Sequence, residues 1–221
     1  MLIQLLQQDP QWYMFVVVTI VISIVLHELA HGWMAIRRGD DTPIQTGHMT
    51  GNPLVHMGPF SLVALFLCGI AWGQMPIDPT RMRGRYAQAM VAVAGPASNL
   101  LLAFVTLTAL GLWWRSGMVQ DEVLIQRNIA IFLTAFGSTN AMLCVFNLMP
   151  VPPLDGSHIL ANFNRGYARM LGDPAKQQIW FFAFIGAFMI SSRLFGLVFK
   201  GCANYLVLIA GDAAVLQFIW P

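Results

Sequence analysis

Five long apolar runs, separated by clusters of arginine, proline and glycine, organise this chain. A helical run of about 20 apolar residues matches the hydrocarbon thickness of a bilayer. The pattern therefore predicts spans at about 11–36, 87–114, 128–148, 178–199 and 203–220. The run at about 60–72 is shorter, with Pro59 before it, Gly69 and Gly73 at its end and Pro76 beyond. It predicts a re-entrant or interfacial segment, with a further crossing as the alternative. The expected fold is an all-α polytopic membrane protein, one domain over residues 1–221, with five to six transmembrane helices. A short β or re-entrant segment is expected between the first two main spans.

The placement of charge selects between those topologies. Arg37 and Arg38 follow the first run, and Arg81, Arg83 and Arg85 precede the second. If residues 60–72 crossed the bilayer, the two clusters would face opposite sides, against the positive-inside rule. A non-crossing segment keeps both cytoplasmic. Composition agrees with a membrane protein, at 57% hydrophobic and 10% charged residues. A net charge of +2 gives no reason to expect nucleic acid as a partner. Cys68, Cys144 and Cys202 all lie in apolar runs and suggest buried thiols rather than a disulfide framework. The first run ends in a histidine-rich motif, not a small-residue cleavage site, and is expected to be a retained span.

That motif is His27-Glu28-Leu29-Ala30-His31. Residues four apart share a helix face, so both imidazoles can reach one metal ion while Glu28 stands beside them. Zinc suits neutral imidazole, and Glu28 would be the general base acting on water activated there. Ionisable groups at the end of so apolar a run would be costly without a metal, partners or an aqueous cavity. Under the topology above, the third run ends on the same side as this motif. It closes in Asn147-Leu148-Met149-Pro150-Val151-Pro152-Pro153-Leu154-Asp155-Gly156. Three prolines within four residues cannot continue a helix. Opened backbone at membrane depth must be covered by protein or border a cavity, and Asp155 is the candidate third ligand there. In isolation the same residues also read as an exit turn.

Together HELAH and NLMPVPPLDG resemble the site-2 protease family of intramembrane zinc metalloproteases. Gly39 to Pro43, Gly51 to His56 and Trp72 to Pro79 resemble its compact branch, which lacks PDZ and CBS domains. So does the run Gly95-Pro96-Ala97-Ser98-Asn99-Leu100, whose small residues also permit close helix approach. The resemblance implies His27, His31 and Asp155 as zinc ligands and Glu28 as catalytic base. It also implies a catalytic role for Asn147 near the substrate or the developing oxyanion. A helix-ending asparagine that satisfies loose carbonyls is the structural alternative for Asn147. Two positions depart from the branch: His48 stands where arginine is common, and Gly58 where an acidic residue is expected.

The implied function is hydrolysis of peptide bonds in or near transmembrane helices of single-span membrane proteins held in the lipid bilayer. Long polar insertions are missing from the sequence, so substrate choice is expected to rest in the membrane part or in a regulatory membrane partner. Residues 39–58, with Thr42, Thr46, Thr50 and Val55, suggest extended segments able to pair with an unwound substrate. Short loops fit a prokaryotic cytoplasmic (inner) membrane, with the site toward the cytoplasm. The competing reading is a non-proteolytic membrane protein that carries metal or binds client helices. It leaves Glu28 unexplained. His48, His56 and His158 read as structural or surface residues, and Asp212 receives no role.

Overall fold

The structure, a computed structural model, describes residues 9–119 and 123–219. The ends of the expected domain and the last residue of the expected 203–220 span lie outside the described residues. Helix α1 (Pro10–Arg37) starts where the Asp9 carboxylate accepts the Trp12 amide, and Pro10 sits in the first turn, where no amide donor is needed. A single turn, α2 (Thr42–Gln45), leads to α3 (Pro53–Cys68), which Asn52 caps through the Leu54 amide. Then come α4 (Ala87–Arg115), α5 (Leu124–Asn147), α6 (Asp155–Phe163) and α7 (Arg165–Leu171). A 3-10 turn (Pro174–Lys176) opens α8 (Gln177–Ala210), and α9 (Ala214–Ile219) ends the described chain. Among the described residues every regular element is helical, and four of the helices are long and apolar enough to cross a membrane. The protein is an all-α integral membrane protein.

Helix α4 is the centre of the bundle, touching α1, α5, α6 and α8. Alanines 87, 89, 92 and 103 and Gly95 are buried along it, which lets neighbouring backbones approach closely without a hydrophobic driving force from water. At one end of the bundle, Leu110, Ala130, Leu206, Val215 and Phe218 form a cluster. At α1, Tyr13, Val17, Ile24, Met57 and Leu65 form another.

The segment between α1 and α4 is a hairpin. Gly58 (φ 67°, ψ 168°) and Pro59 kink α3, and the helix beyond the kink rises only about 15 Å, half of a hydrocarbon core of about 30 Å. Its far end meets the start of α1, where the Tyr13 hydroxyl donates to the Phe66 carbonyl at 2.9 Å. The chain then turns at Gly69 (φ 74°) and returns without regular secondary structure. Ser61 Oγ accepts the Trp72 amide at 2.9 Å and donates to the Trp72 carbonyl at 2.7 Å. The Gln74 amide donates to the His56 carbonyl at 3.0 Å. Entry and exit are tied together: buried Asp40 accepts the Asp78 amide at 2.7 Å, and the Arg83 amide donates to the Arg38 carbonyl at 2.7 Å. Both arginine clusters therefore lie on one face of the bundle, as the non-crossing topology requires.

Two expectations need correction. The runs at 178–199 and 203–220 are not two spans. Residues 177–210 form one continuous helix, so these two runs make one candidate span, and four long apolar helices stand beside the shorter apolar α3. Lys200 and Gly201 lower the apolarity of the run without breaking helical geometry; the break falls at Gly211 (φ 77°). Asp212 then accepts the Ala214 amide at 2.9 Å and so caps α9, which gives that carboxylate a structural partner. Nor are residues 39–58 extended. Pro43 starts a helical turn, and Asp40 accepts the Thr42 amide and hydroxyl, so local capping overrides the β propensity of the threonines. The stretch without regular secondary structure beside the site is 70–77 instead.

Candidate metal centre

His27 and His31 stand one turn apart on the buried face of α1, their rings nearly perpendicular with centroids 4.6 Å apart. The two Nε2 atoms are separated by 2.9 Å. Asp155 is delivered by the break after α5. The prolines stop the helix, the Val151 and Leu154 amides close tight turns, and Tyr167 donates to the Pro150 carbonyl at 2.9 Å. Gly156 lies directly against the Leu148 and Met149 carbonyls, an approach no Cβ would permit. The α6 start therefore folds back, placing Asp155 Oδ2 3.1 Å from His27 Nε2 and Oδ1 3.3 Å from His31 Nε2.

The chemistry of this donor set calls for a cation. His27 Nδ1 lies 2.6 Å from Asn99 Oδ1, and His31 Nδ1 lies 2.7 Å from the Val91 carbonyl. Both partners are acceptors, so each neutral imidazole carries its proton on Nδ1 and points a lone pair from Nε2 into the cluster. Asp155 adds carboxylate oxygens, and its Oδ2 is buried without a hydrogen-bond donor. Three sets of lone pairs thus face one another in a buried space. A proton answers one of these contacts, whereas a metal ion answers all three. Separations near 3 Å are also what ligands at about 2.0–2.1 Å from a tetrahedral ion require. His27, His31 and Asp155 together could hold a metal ion.

Glu28 is buried beside them and makes no hydrogen bond or ion pair among the described residues. The returning segment passes directly over it. A Cβ at Gly73 would fall 2.6 Å from Glu28 Oε1, so only glycine leaves room there. Gly95 on α4 does the same for the ligands, since a Cβ there would overlap His27 Nε2 and His31 Nε2. All four groups line a cavity of about 740 Å³, walled by α1, α4, the irregular segment 71–77, the end of α5 and the α6 start. That volume is in the range of ligand clefts, about 300–1,000 Å³.

Asn147 also lines this cavity, with one amide proton donated to the Leu143 carbonyl at 3.1 Å, the helix-end contact that its structural reading anticipates. His158 borders the cavity and is exposed. His56 is wholly buried with Nε2 2.7 Å from the Thr50 carbonyl, and His48 bonds to Thr46; neither lines the cavity. Gly58, one of the two departures from the compact branch, is the kink of α3. Sequence reasoning did not single out Gly73, Val91 or Asn140 as neighbours of the site. The proline-bounded run near Gly73 was the available signal for the first.

Comparison with known proteins agrees with this geometry. The model of "Peptidase family M50" matches residues 116–191, a stretch that includes Asp155. "Putative zinc metalloprotease YwhC" of Bacillus subtilis is 37% identical over 151 residues, covering 66% of this chain and 67% of the relative. "Putative zinc metalloprotease Rip2" of Mycolicibacterium smegmatis is 29% identical across 94% of this chain and 82% of its own length. No solved structure matches the chain. With a relative 37% identical over two thirds of both chains and the family model matched, in a bundle of long apolar helices, one assignment follows: the chain belongs to peptidase family M50, the site-2 protease family, and is an integral membrane metallopeptidase.

Proposed function

We propose that this protein is a zinc metalloendopeptidase that hydrolyses peptide bonds in or near the transmembrane helices of single-span membrane proteins. We place it in a prokaryotic cytoplasmic membrane with the site toward the cytoplasm, the side on which both arginine clusters lie. One observation carries the reading: the His27, His31 and Asp155 cluster and Glu28 open onto a cavity one wall of which, residues 71–77, is backbone outside the helices. Trp72 and Gln74 turn their amides toward α3, where Ser61 and the His56 carbonyl hold them. The amides of Gly73 and Met75 make no hydrogen bond among the described residues and face no such partner. An unwound substrate segment can pair with that backbone, which takes over the role expected of residues 39–58.

His27, His31 and Asp155 would hold zinc, which when bound supplies electrophilic polarisation of the scissile carbonyl and acidifies water. Glu28 takes the proton of the attacking water and returns it to the leaving amine. Its burial under Gly73 keeps bulk water from competing for the carboxylate. Asn147 has a second amide proton free to meet the carbonyl oxygen of the substrate as charge develops there. A substrate helix hides its carbonyls in internal bonds, so residues with weak helix propensity are expected near the cut.

The test is a comparison of membrane-anchored proteins in cells carrying the native chain or Glu28→Gln. The variant retains all three ligands. Full-length single-span proteins that accumulate only with the variant, while both forms bind zinc, are the expected outcome. An unchanged profile with zinc-loaded native protein would overturn proteolysis and leave the carrier or client-binding reading.

A further inference from the structure

The two histidines are held in their tautomers by different means. His31 faces the backbone carbonyl of Val91, which can only accept, so its Nδ1 must carry the proton. His27 faces a side-chain amide, and an amide can present either its oxygen or its NH2. What decides the polarity at His27 lies two helices away.

Asn99 on α4 directs its Nδ2 at Asn140 Oδ1, 2.8 Å away on α5, and both asparagines are wholly buried. Asn140 Nδ2 in turn donates to the Phe136 carbonyl at 2.8 Å and to Ser23 Oγ at 2.9 Å. The Phe136 carbonyl is the fixed point, since it has no proton to give. It forces the NH2 of Asn140 toward itself, hence Oδ1 of Asn140 toward Asn99. That forces NH2 of Asn99 toward Asn140 and Oδ1 of Asn99 toward His27. Nδ1 of His27 must then hold the proton, and Nε2 must offer its lone pair to the metal. Each link between the asparagines has one permitted polarity because both side chains are wholly buried and find no alternative partner for a reversed amide.

We propose that Asn140 is a positioning residue of the metal centre, acting through Asn99 to hold His27 in the metal-binding tautomer. The proposal rests on the metal reading above. Without Asn140, the Asn99 amide can turn over and give an N–H to His27 Nδ1. The imidazole proton then moves to Nε2 and points at the place where the metal binds. Supporting partners of metal-bound histidines are commonly worth 10- to 100-fold in metal affinity.

The experiment measures zinc affinity of the purified full chain in detergent by chelator competition, alongside its thermal melt. Asn140→Leu removes the relay while keeping the volume, and a loss of about 10- to 100-fold is expected. Adding Asn99→Asp to that variant supplies a partner that can only accept from His27, and affinity should return to within about threefold of the native value. Ser138→Ala, on the same helix but bonded only to its own backbone, should change nothing. Asn140→Leu that binds zinc like the native chain overturns the proposal. So does a loss that Asn99→Asp fails to restore, because packing and not polarity would then be the cause. Should Asn140→Leu not fold, nitrogen-15 NMR of His27 in the native metal-free chain decides: a proton on Nδ1 supports the relay and a proton on Nε2 overturns it. Native protein that binds no zinc would defeat the metal reading itself, a result separate from all of these.

Discussion

Gly95→Ala tests whether the ligands are as tightly enclosed as the geometry indicates. A Cβ built at position 95 lies 2.5 Å from His27 Nε2 and 2.6 Å from His27 Cε1, and closer still to His31 Nε2. Ordinary contact begins at 3.4 Å, so relief requires a displacement of about 0.9 Å at His27. Metal–ligand distances tolerate only about 0.2 Å. Neither ring can retreat, because Asn99 and Val91 hold the opposite nitrogens. The methyl should therefore displace the metal, with zinc affinity falling at least about 100-fold, equivalent to about 2.7 kcal/mol. Helix propensity acts in the other direction, favouring alanine by about 1 kcal/mol, so lost affinity would not reflect a weakened α4. Metal content after equilibration with buffered zinc, paired with a thermal melt, reads both effects. Gly186→Ala is the control, since nothing lies within 4 Å of a Cβ there. A Gly95→Ala protein that binds zinc within about threefold of native would refute the enclosure argument.

The base side of the site and the contacts that tie residues 38–41 to 78–83 can be tested in the same way. Gly73→Ala places a methyl 2.6 Å from Glu28 Oε1 and should lower turnover by about 10- to 100-fold while zinc binding stays intact, a misplacement effect; equal loss of both would show that the segment supports the ligands instead. Hydrogen bonding from Arg81 and Gln45 lowers the Asp41 carboxyl, and hydrogen bonding from Thr80, with Arg81 nearby, lowers that of Asp78. Depressed carboxyls stabilise these contacts fully above the ordinary aspartate value of 3.8 and lose that contribution as pH falls through their own lower values. Hydrogen exchange at the Arg83 amide, corrected for intrinsic rate, should therefore be constant from about pH 8 to 5 and rise only in strong acid. Opening near pH 6 would assign the contacts to other groups.

What was legible in the sequence was what spacing and breakage determine locally. HELAH puts two imidazoles on one face whatever surrounds them, and the prolines after Met149 had to open the backbone that delivers Asp155. The arginine clusters foretold the hairpin because charge placement reports side, not shape. Lys200 and Gly201 misled for the complementary reason: hydropathy registers a dip, but a helix ends only where backbone geometry changes, as at Gly211. Residues 42–46 carried β-favouring threonines, yet Asp40 captured the Thr42 amide and closed a turn. Asn140 was illegible because one polar residue in an apolar run says nothing of its partner; Asn99 lies 41 positions away.

The site joins two halves built on different principles. The metal half belongs to α1, α4, α5 and the α6 start, where the Nδ1 atoms of His27 and His31, and the asparagines behind His27, meet partners of fixed polarity in a buried bundle. The base half depends on an irregular segment held by few bonds, at Ser61, His56 and Asp40, and its Gly73 and Met75 amides make no hydrogen bond among the described residues. Metal ligation demands geometry within tenths of an ångström, which packed helices provide. Accepting an unwound chain demands groups that can pair with many sequences, which backbone provides without reading side chains. Gly73 is where the halves meet, because there the segment comes within one methyl group of Glu28. Under the proposed function, a substrate segment paired along that backbone would be brought against the Glu28 carboxylate by the same contact that orders it, so binding and alignment would become one event.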